Sequence, residues 1–499
     1  MPWIIAENHP RKISDSTEKL NHEEEKAMEA LFQAVNVICG KIQIVSNLFW
    51  DFPTNFDWYA NIPILGNFSL AIILLVGTGI YFTFRLRFIQ VRKFRYGLHV
   101  LMRQKSSGTG ISSLASFLLS TAMRVGPGNI LGVTGAISTG GPGALFWMWV
   151  TALVGMATKF SEVLLSVHFR EKTPAGNWVG GAMYFIKNGL GPKWMWLGSC
   201  FALFGIVACI GTGAMVQGNS IGEAMQANLS VPTWFTAVAI FLLAGAVLIG
   251  GVKRIGAVAG KIVPAMAVVY VVISLIVIVL HIDQLPRVLA WVVAEAFTPT
   301  AAEGGFAGAT VMMAIRMGMA RGVFSNEAGL GTAPMAHAAA TSVSPLVQAS
   351  IGMLDTFIDT IVVCTMTGFA ILVTGQWTSG LTGAAMTSAA FETTLPGIGG
   401  IAVTICLTFF AFTTALGWCV YGERCSIYFF GDKAQVPFRI IYCIAIPVGV
   451  LTQLDVVWLL ADTCNALMAI PNLIAILLLS PVLFKLVKED ESKDTIFKH

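Results

Sequence analysis

Val125-Gly126-Pro127-Gly128-Asn129 interrupts one long apolar stretch, and Phe324-Ser325-Asn326-Glu327-Ala328-Gly329-Leu330-Gly331 interrupts another, roughly half the chain further on. In a bilayer core an unpaired backbone N–H or C=O costs several kcal/mol, so a helix breaks there only where protein, water or ligand satisfies the freed groups. Breaks in matching places of two halves mark the substrate site of a secondary transporter, and an ion-coupled transporter is the expectation here. Close helix packing is the commoner reason for glycine in apolar helices and accounts for Gly132, Gly135 and Gly205. It accounts poorly for five residues holding two glycines, a proline and an asparagine.

The composition agrees. With 56% hydrophobic and 12% charged residues and a mean hydropathy of +0.74 over 499 residues, the chain is an integral membrane protein rather than a soluble globule. The net charge of +4 is small and collected in a few loops, so nucleic acid is not an expected partner. Nine cysteines lie mostly in apolar runs, without zinc or disulfide spacing, and read as small buried hydrophobes. The seven histidines are scattered, and no nucleophile, metal cluster or nucleotide loop is recognisable. An enzyme, and an enzymatic cofactor, are therefore not expected. A channel would need a ring of repeated filter ligands, and none is visible.

Residues 1–26 are polar, lack the features of a secretory signal, and are expected to form a disordered extension. Residues 27–63 suggest an interfacial amphipathic segment and loop, because Asn36, Lys41, Gln43 and Asn47 interrupt its apolar positions. Eleven transmembrane helices are expected within a transporter domain at 64–485, near 64–86, 110–137, 143–168, 196–226, 232–252, 258–281, 305–340, 347–374, 398–428, 436–453 and 456–485. A cytoplasmic tail at 486–499 follows. Arg85, Arg87, Arg92, Lys93 and Arg95 place the loop after the first helix inside, which puts the N-terminus outside and the C-terminus in the cytoplasm. With that first helix set aside, the breaks fall in the first and sixth of ten. This is an all-α five-plus-five inverted repeat preceded by one extra helix.

The run Gly140-Gly141-Pro142-Gly143-Ala144-Leu145-Phe146-Trp147-Met148-Trp149-Val150-Thr151-Ala152-Leu153-Val154-Gly155-Met156 resembles the signature of the alanine or glycine:cation symporter family. Arg124 to Ile130, Met215-Val216-Gln217, Ala320 to Gly329 and Phe410 to Trp418 resemble that family in the same order, over about residues 30–485. The resemblance implies a leucine-transporter-like fold that moves alanine or glycine, small neutral amino acids, inward with sodium, in some members with protons. It also implies a bacterial inner membrane. Pro127 departs from the pattern, since relatives usually carry threonine between the two glycines. Proline removes one N–H and one hydroxyl, which leaves substrate choice open.

An amino acid zwitterion needs donors for its carboxylate and acceptors for its ammonium. Gly126 and Gly128 let the backbone come close, and the amides of Gly128 and Asn129, at the start of a half-helix, are the candidate carboxylate donors. The carbonyls of Phe324 and Ser325 and the side chains of Asn326 and Glu327 are placed near the ammonium. Gln217 is a further candidate, with plain interhelical hydrogen bonding as its rival. Phe324, Phe412 and Trp418 would limit substrate size, or serve only as core. Thr413-Thr414 is the natural hydroxyl pair for sodium, although threonines in apolar helices commonly bond back to their own helix. The leucine-transporter-like resemblance adds the carbonyls of Ala122, Val125 and Phe410. Of the intramembrane charges, Glu327 is the first candidate for an ion-coupling carboxylate. Arg316 and Arg321 are expected to pair with acids or face an outer vestibule, Asp359 and Glu162 to be structural, and Asp355 stands where the family pattern has no acid. A transport-deficient sensor, for which Pro127 is the hint, and a proton-coupled carrier are the alternatives. Alanine against glycine or serine, the preferred enantiomer, stoichiometry and oligomeric state stay open.

Overall fold

The computed structural model describes residues 40–103, 112–340 and 344–493, apart from 49, 63–65, 67, 175 and 453. The expected extension at 1–26 and the start of the amphipathic segment, 27–39, lie outside the described residues. Each of the eleven expected stretches contains a helix or a helix pair. In order these are Leu70–Arg85, Ser113–Arg124 with Leu131–Gly140, Gly143–His168, Met195–Ala208 with Val216–Leu229, Thr233–Leu248, and Gly251–Leu280. Val311–Asn326 with Ala333–Ala338, Pro345–Thr356 with Thr365–Val373, Gly399–Phe430, Gln435–Leu451 and Leu454–Leu478 complete the series. Among the described residues, six helical stretches are by themselves long and apolar enough to cross a membrane.

The helices that are most apolar are also the least covered by protein. The most apolar window of Arg254–Leu280 has mean hydropathy 2.9 and is 28% buried, whereas that of Gly143–His168 has 1.4 and is 83% buried. A soluble protein inverts this order; lipid is the medium that accepts it. The Gly143–His168 helix, which carries the signature run, is a central post. A Cβ at Gly318 would lie 2.3 Å from the Ala144 carbonyl oxygen, and one at Gly322 2.3 Å from Thr151 Oγ1, so the Val311–Asn326 helix lies directly against this post. Both broken helices begin at hydroxyl caps: Ser112 Oγ accepts from the Ala115 amide at 3.0 Å and Thr310 Oγ1 from the Met313 amide at 3.2 Å.

Three features differ from the sequence reading. Helices at Leu285–Ala294 and Gly383–Thr394 occupy stretches read as connections. The last helix, Ser480–Lys493, runs past 485, so residues 486–493 of the expected tail are helical. Inside two long helices, Cys209–Met215 and Phe357–Cys364, the hydrogen bonds widen to i→i+5. Such bulges turn side chains that a regular helix would point elsewhere, and both lie beside the breaks.

Candidate functional site

The first half-helix ends at Arg124. Val125 and Gly126 are extended, Pro127–Asn129 form one tight turn, and the second half-helix starts at Leu131. Asn129 holds this turn closed: its Oδ1 accepts from the Gly126 amide at 2.8 Å, and its own amide donates to the Gly126 carbonyl at 3.1 Å. Of the two amides expected to receive a carboxylate, Asn129's is therefore engaged within the turn. Gly128's is one of the orphan donors at the start of a helix, and Pro127 has none.

The second break follows Asn326. Glu327 adopts a left-handed conformation, φ 53°, which only a surrounding set of contacts sustains in a residue with a side chain. Lys159 Nζ donates to its carbonyl at 2.6 Å, Thr332 Oγ1 donates to its Oε2 at 2.6 Å, and Asn326 Oδ1 accepts from the Ala328 amide at 2.9 Å. The two breaks touch: a Cβ at Gly128 would stand 3.1 Å from Ser325 Cα. They are joined by Asp359, from the bulged helix. Its Oδ1 accepts from Asn129 Nδ2 and its Oδ2 from Ser325 Oγ, both at 2.8 Å.

Between the breaks lies a small, nearly closed cavity walled by Arg124, Gly126, Pro127, Gly128 and Thr414 with Thr212, Gln217, Phe324, Glu327 and Trp418. Asn129, Ser325 and Asn326 do not line it; they tie the breaks together behind its wall. Phe412 packs elsewhere, partly buried against the main hydrophobic core. Gln217 Nε2 donates to the Thr212 carbonyl at 2.9 Å, while its Oε1, fully enclosed, has no hydrogen-bond partner. An enclosed acceptor left unpaired costs about 1–3 kcal/mol, so a cationic donor in the cavity would relieve it. Phe324 also lines a small neighbouring cavity with Trp50 and Asp462. Trp458 packs against Phe324 with centroids 4.7 Å apart and the rings tilted by 45°, and Arg321, clamped at 3.0 Å by both oxygens of Asp462, lies over Trp458.

The five expected sodium ligands fall into two groups. Thr414 Oγ1 reaches across to the carbonyls of Ala122, 3.2 Å, and Val125, 3.5 Å, which the end of the first half-helix leaves without amide partners. Thr413 Oγ1 bonds back to the Phe409 and Phe410 carbonyls at 2.9 and 3.1 Å. Three uncharged oxygens around Thr414 suit a hard monovalent cation. Among the described residues no group of three His, Cys, Asp or Glu side chains could hold a metal ion.

Charged residues surround the breaks. Arg124 Nη1 meets Asp355 Oδ2 at 2.5 Å, and its Nε lies 3.8 Å from Glu327 Oε2. Asp355, unaccounted for by sequence, thus neutralises the arginine that ends the first half-helix; His337 Nε2 and Thr121 Oγ1 complete its shell. Glu162 faces Lys159 at 3.8 Å and accepts from Asn472 Nδ2 at 2.5 Å. Arg316 pairs with Asp51 and Arg321 with Asp462. Arg124, Lys159 and Thr212 were missed as site residues; the available signal was a polar side chain within an apolar span.

The sodium:alanine symporter family profile matches residues 57–496. An uncharacterized transporter of Haemophilus influenzae is 47% identical over 422 residues, covering 84% of this chain and 92% of that protein. The sodium/alanine symporter AgcS of Methanococcus maripaludis is 42% identical over 438 residues, covering 85% and 96%. Among solved structures, MhsT in complex with L-phenylalanine matches with a TM-score of 0.51 at 15% identity, over 77% of this chain and 99% of that one, a likeness of fold. The fold is all-α and like that of MhsT, and the chain belongs to the sodium:alanine symporter family of membrane transporters.

Proposed function

We propose that this protein imports a small neutral amino acid, alanine or glycine, together with sodium, by alternating access around the cavity between the two breaks. The observation that carries the reading is the Thr414 hydroxyl held against the Ala122 and Val125 carbonyls, one residue from the Gly126–Gly128 backbone that faces the cavity. Sodium at those oxygens fixes the first break and sets the Gly128 amide for the substrate carboxylate. Gln217 Oε1 and Glu327 receive the ammonium, and Phe324 and Trp418 restrict side-chain size. Thr413 and the Phe410 carbonyl complete the ion's shell once Thr413 turns from its own helix. Asn129, Ser325 and Asn326 act by positioning the two breaks.

In this reading the chain has eleven spans, the last ten forming a five-plus-five inverted repeat, with the N-terminus outside and the C-terminus in the cytoplasm of a bacterial inner membrane. The transporter domain is 64–485. Uptake of labelled alanine into proteoliposomes under an inward sodium gradient, beside vesicles given only a proton gradient, tests the proposal. Sodium-driven accumulation is expected. Proton-driven uptake alone would remove sodium from Thr414, and binding without flux would favour a sensor.

A further inference from the structure

Away from the transport cavity, the helices Thr233–Leu248 and Gln435–Leu451 enclose a groove of about 380 Å³ on the outer surface. Small residues form its floor: a Cβ at Gly245 would lie 3.5 Å from Cys443 Sγ, and that thiol donates to the Phe241 carbonyl at 3.7 Å. The two helices pack closely there, and larger side chains to either side stand up as walls. Leu242, Ile249, Val436, Ile440 and Ile444 are each more than half exposed. In a bilayer such a groove is filled by an acyl chain, but apolarity selects no particular lipid, because every lipid tail is as apolar as leucine. Selectivity has to come from a polar end.

Arg439, which lines the groove, supplies that end. Its Nε donates to Glu423 Oε2 at 2.8 Å, and among the described residues no acceptor takes a hydrogen bond from Nη1 or Nη2. Those two nitrogens lie against Gly251, where φ is 72° and a Cβ would stand 3.2 Å from Nη2 and 3.3 Å from Nη1, so glycine both permits the turn and leaves them room. The adjoining Gly250 is covered by exposed Arg254: a Cβ there would run into the Arg254 stem. Two arginine side chains thus lie against one Gly250–Gly251 turn at the end of the groove. The segments that meet here, 249–254 and 431–439, carry Lys253, Arg254, Lys433 and Arg439 against one acid, Asp432, which accepts from Gln435 Nε2 at 3.0 Å. A guanidinium with both Nη groups open presents the planar fork that matches a phosphate diester. A zwitterionic lipid brings the same phosphate with a compensating cation, which this surplus of positive charge disfavours. In the orientation proposed above this end faces the cytoplasm, and the cytoplasmic leaflet is the one with a negative surface potential. We infer that an anionic phospholipid binds here, one acyl chain along the groove between Thr233–Leu248 and Gln435–Leu451 and its phosphate on Arg439 and Arg254. The lipid braces a helix that also backs the bulge beside the transport cavity, since a Cβ at Gly213 would lie 2.8 Å from Tyr442 Oη.

The test is thermal unfolding of the delipidated full-length protein in detergent, titrated with phosphatidylglycerol or with phosphatidylcholine of the same acyl chains. A ligand that binds only the folded protein raises its melting temperature. Phosphatidylglycerol should half-saturate the shift at about a tenfold lower concentration than phosphatidylcholine. Arg439→Lys, which keeps a cation on Glu423, and Arg254→Gln should each narrow that ratio to about twofold. Ala246→Trp, which fills the groove and leaves both arginines in place, should abolish the shift. Should Arg439→Lys not fold, Arg254→Gln and Ala246→Trp decide, since both positions are exposed. Equal midpoints for the two lipids overturn the inference, as does a phosphatidylglycerol midpoint unmoved by Ala246→Trp or by both arginine variants. An equal shift from inorganic phosphate alone overturns it by assigning the arginines to a soluble anion. A disulfide formed between copies by Leu242→Cys in vesicles overturns it by giving the groove to a second copy of the chain. The assay needs neither transport nor sodium, so its outcome is independent of the sodium-coupled reading.

Discussion

A methyl group at position 126 would stand 2.5 Å from Thr414 Oγ1, closer than any real Cβ contact, and the hydroxyl would have to leave the Ala122 and Val125 carbonyls. Gly126→Ala is therefore expected to raise the half-saturating sodium concentration for uptake about tenfold, roughly 1.4 kcal/mol, while the protein still inserts and folds. A sodium titration of initial rates measures this, and an unchanged midpoint would detach Thr414 from the ion. Gln217 calls for the opposite signature. Its unpaired Oε1 makes the empty protein less stable, so Gln217→Leu should leave the melting temperature equal or higher. The same variant should weaken alanine binding about tenfold or more. Loss of stability together with binding would return Gln217 to a structural role.

The breaks were legible because their residues are forced: glycine, proline and asparagine within an apolar run admit few other readings. The bulges at Cys209–Met215 and Phe357–Cys364 were not, because widening a turn from i+4 to i+5 requires no particular residue. Asp359 was accordingly read as structural, although the bulge brings its two oxygens to Asn129 on one break and Ser325 on the other. Thr414 was legible as one of a pair, but which of the two faces the first half-helix follows from the rotation of the Gly399–Phe430 helix, which local sequence leaves undetermined. The segment before the first membrane helix gave the weakest pattern and has a definite place. Trp50 Nε1 donates to the Asp462 carbonyl at 3.4 Å, Asp51 pairs with Arg316, and the Trp50 ring closes the cavity behind Phe324. That arrangement fastens the segment to both helices that carry the Arg321–Asp462 pair. Trp50→Ala should therefore speed thiol labelling of a Val323→Cys protein roughly severalfold without changing alanine affinity, as expected of a change in access rather than in the site. Equal labelling rates would show that the cavity communicates with solvent by another route.

In the proposed cycle, sodium and substrate act on the molecule through one element, the first break. The oxygens proposed for the ion belong to residues 122 and 125, the amide proposed for the substrate to residue 128, and the turn between them is closed by Asn129. Ordering this turn for one ligand removes an ordering cost that the other would otherwise meet. Linkage then fixes a quantity. Whatever factor saturating sodium contributes to alanine affinity, saturating alanine must contribute to sodium affinity, with a coupling of about 1–3 kcal/mol expected for such a device. Calorimetric titration of each ligand with and without the other measures both factors. In a protein carrying Thr413→Ala and Thr414→Ala they should fall together toward one, with sodium-free alanine binding little changed. Alanine affinity that still rises with sodium in this double variant would place the coupling ion away from Thr413 and Thr414. Because the reciprocity holds for the product of the affinities of all bound ions, an alanine factor larger than the factor measured per sodium would mean that more than one sodium binds with each alanine. The calorimetric experiment thus tests the sodium site and the coupling stoichiometry through the same break that first distinguished the sequence.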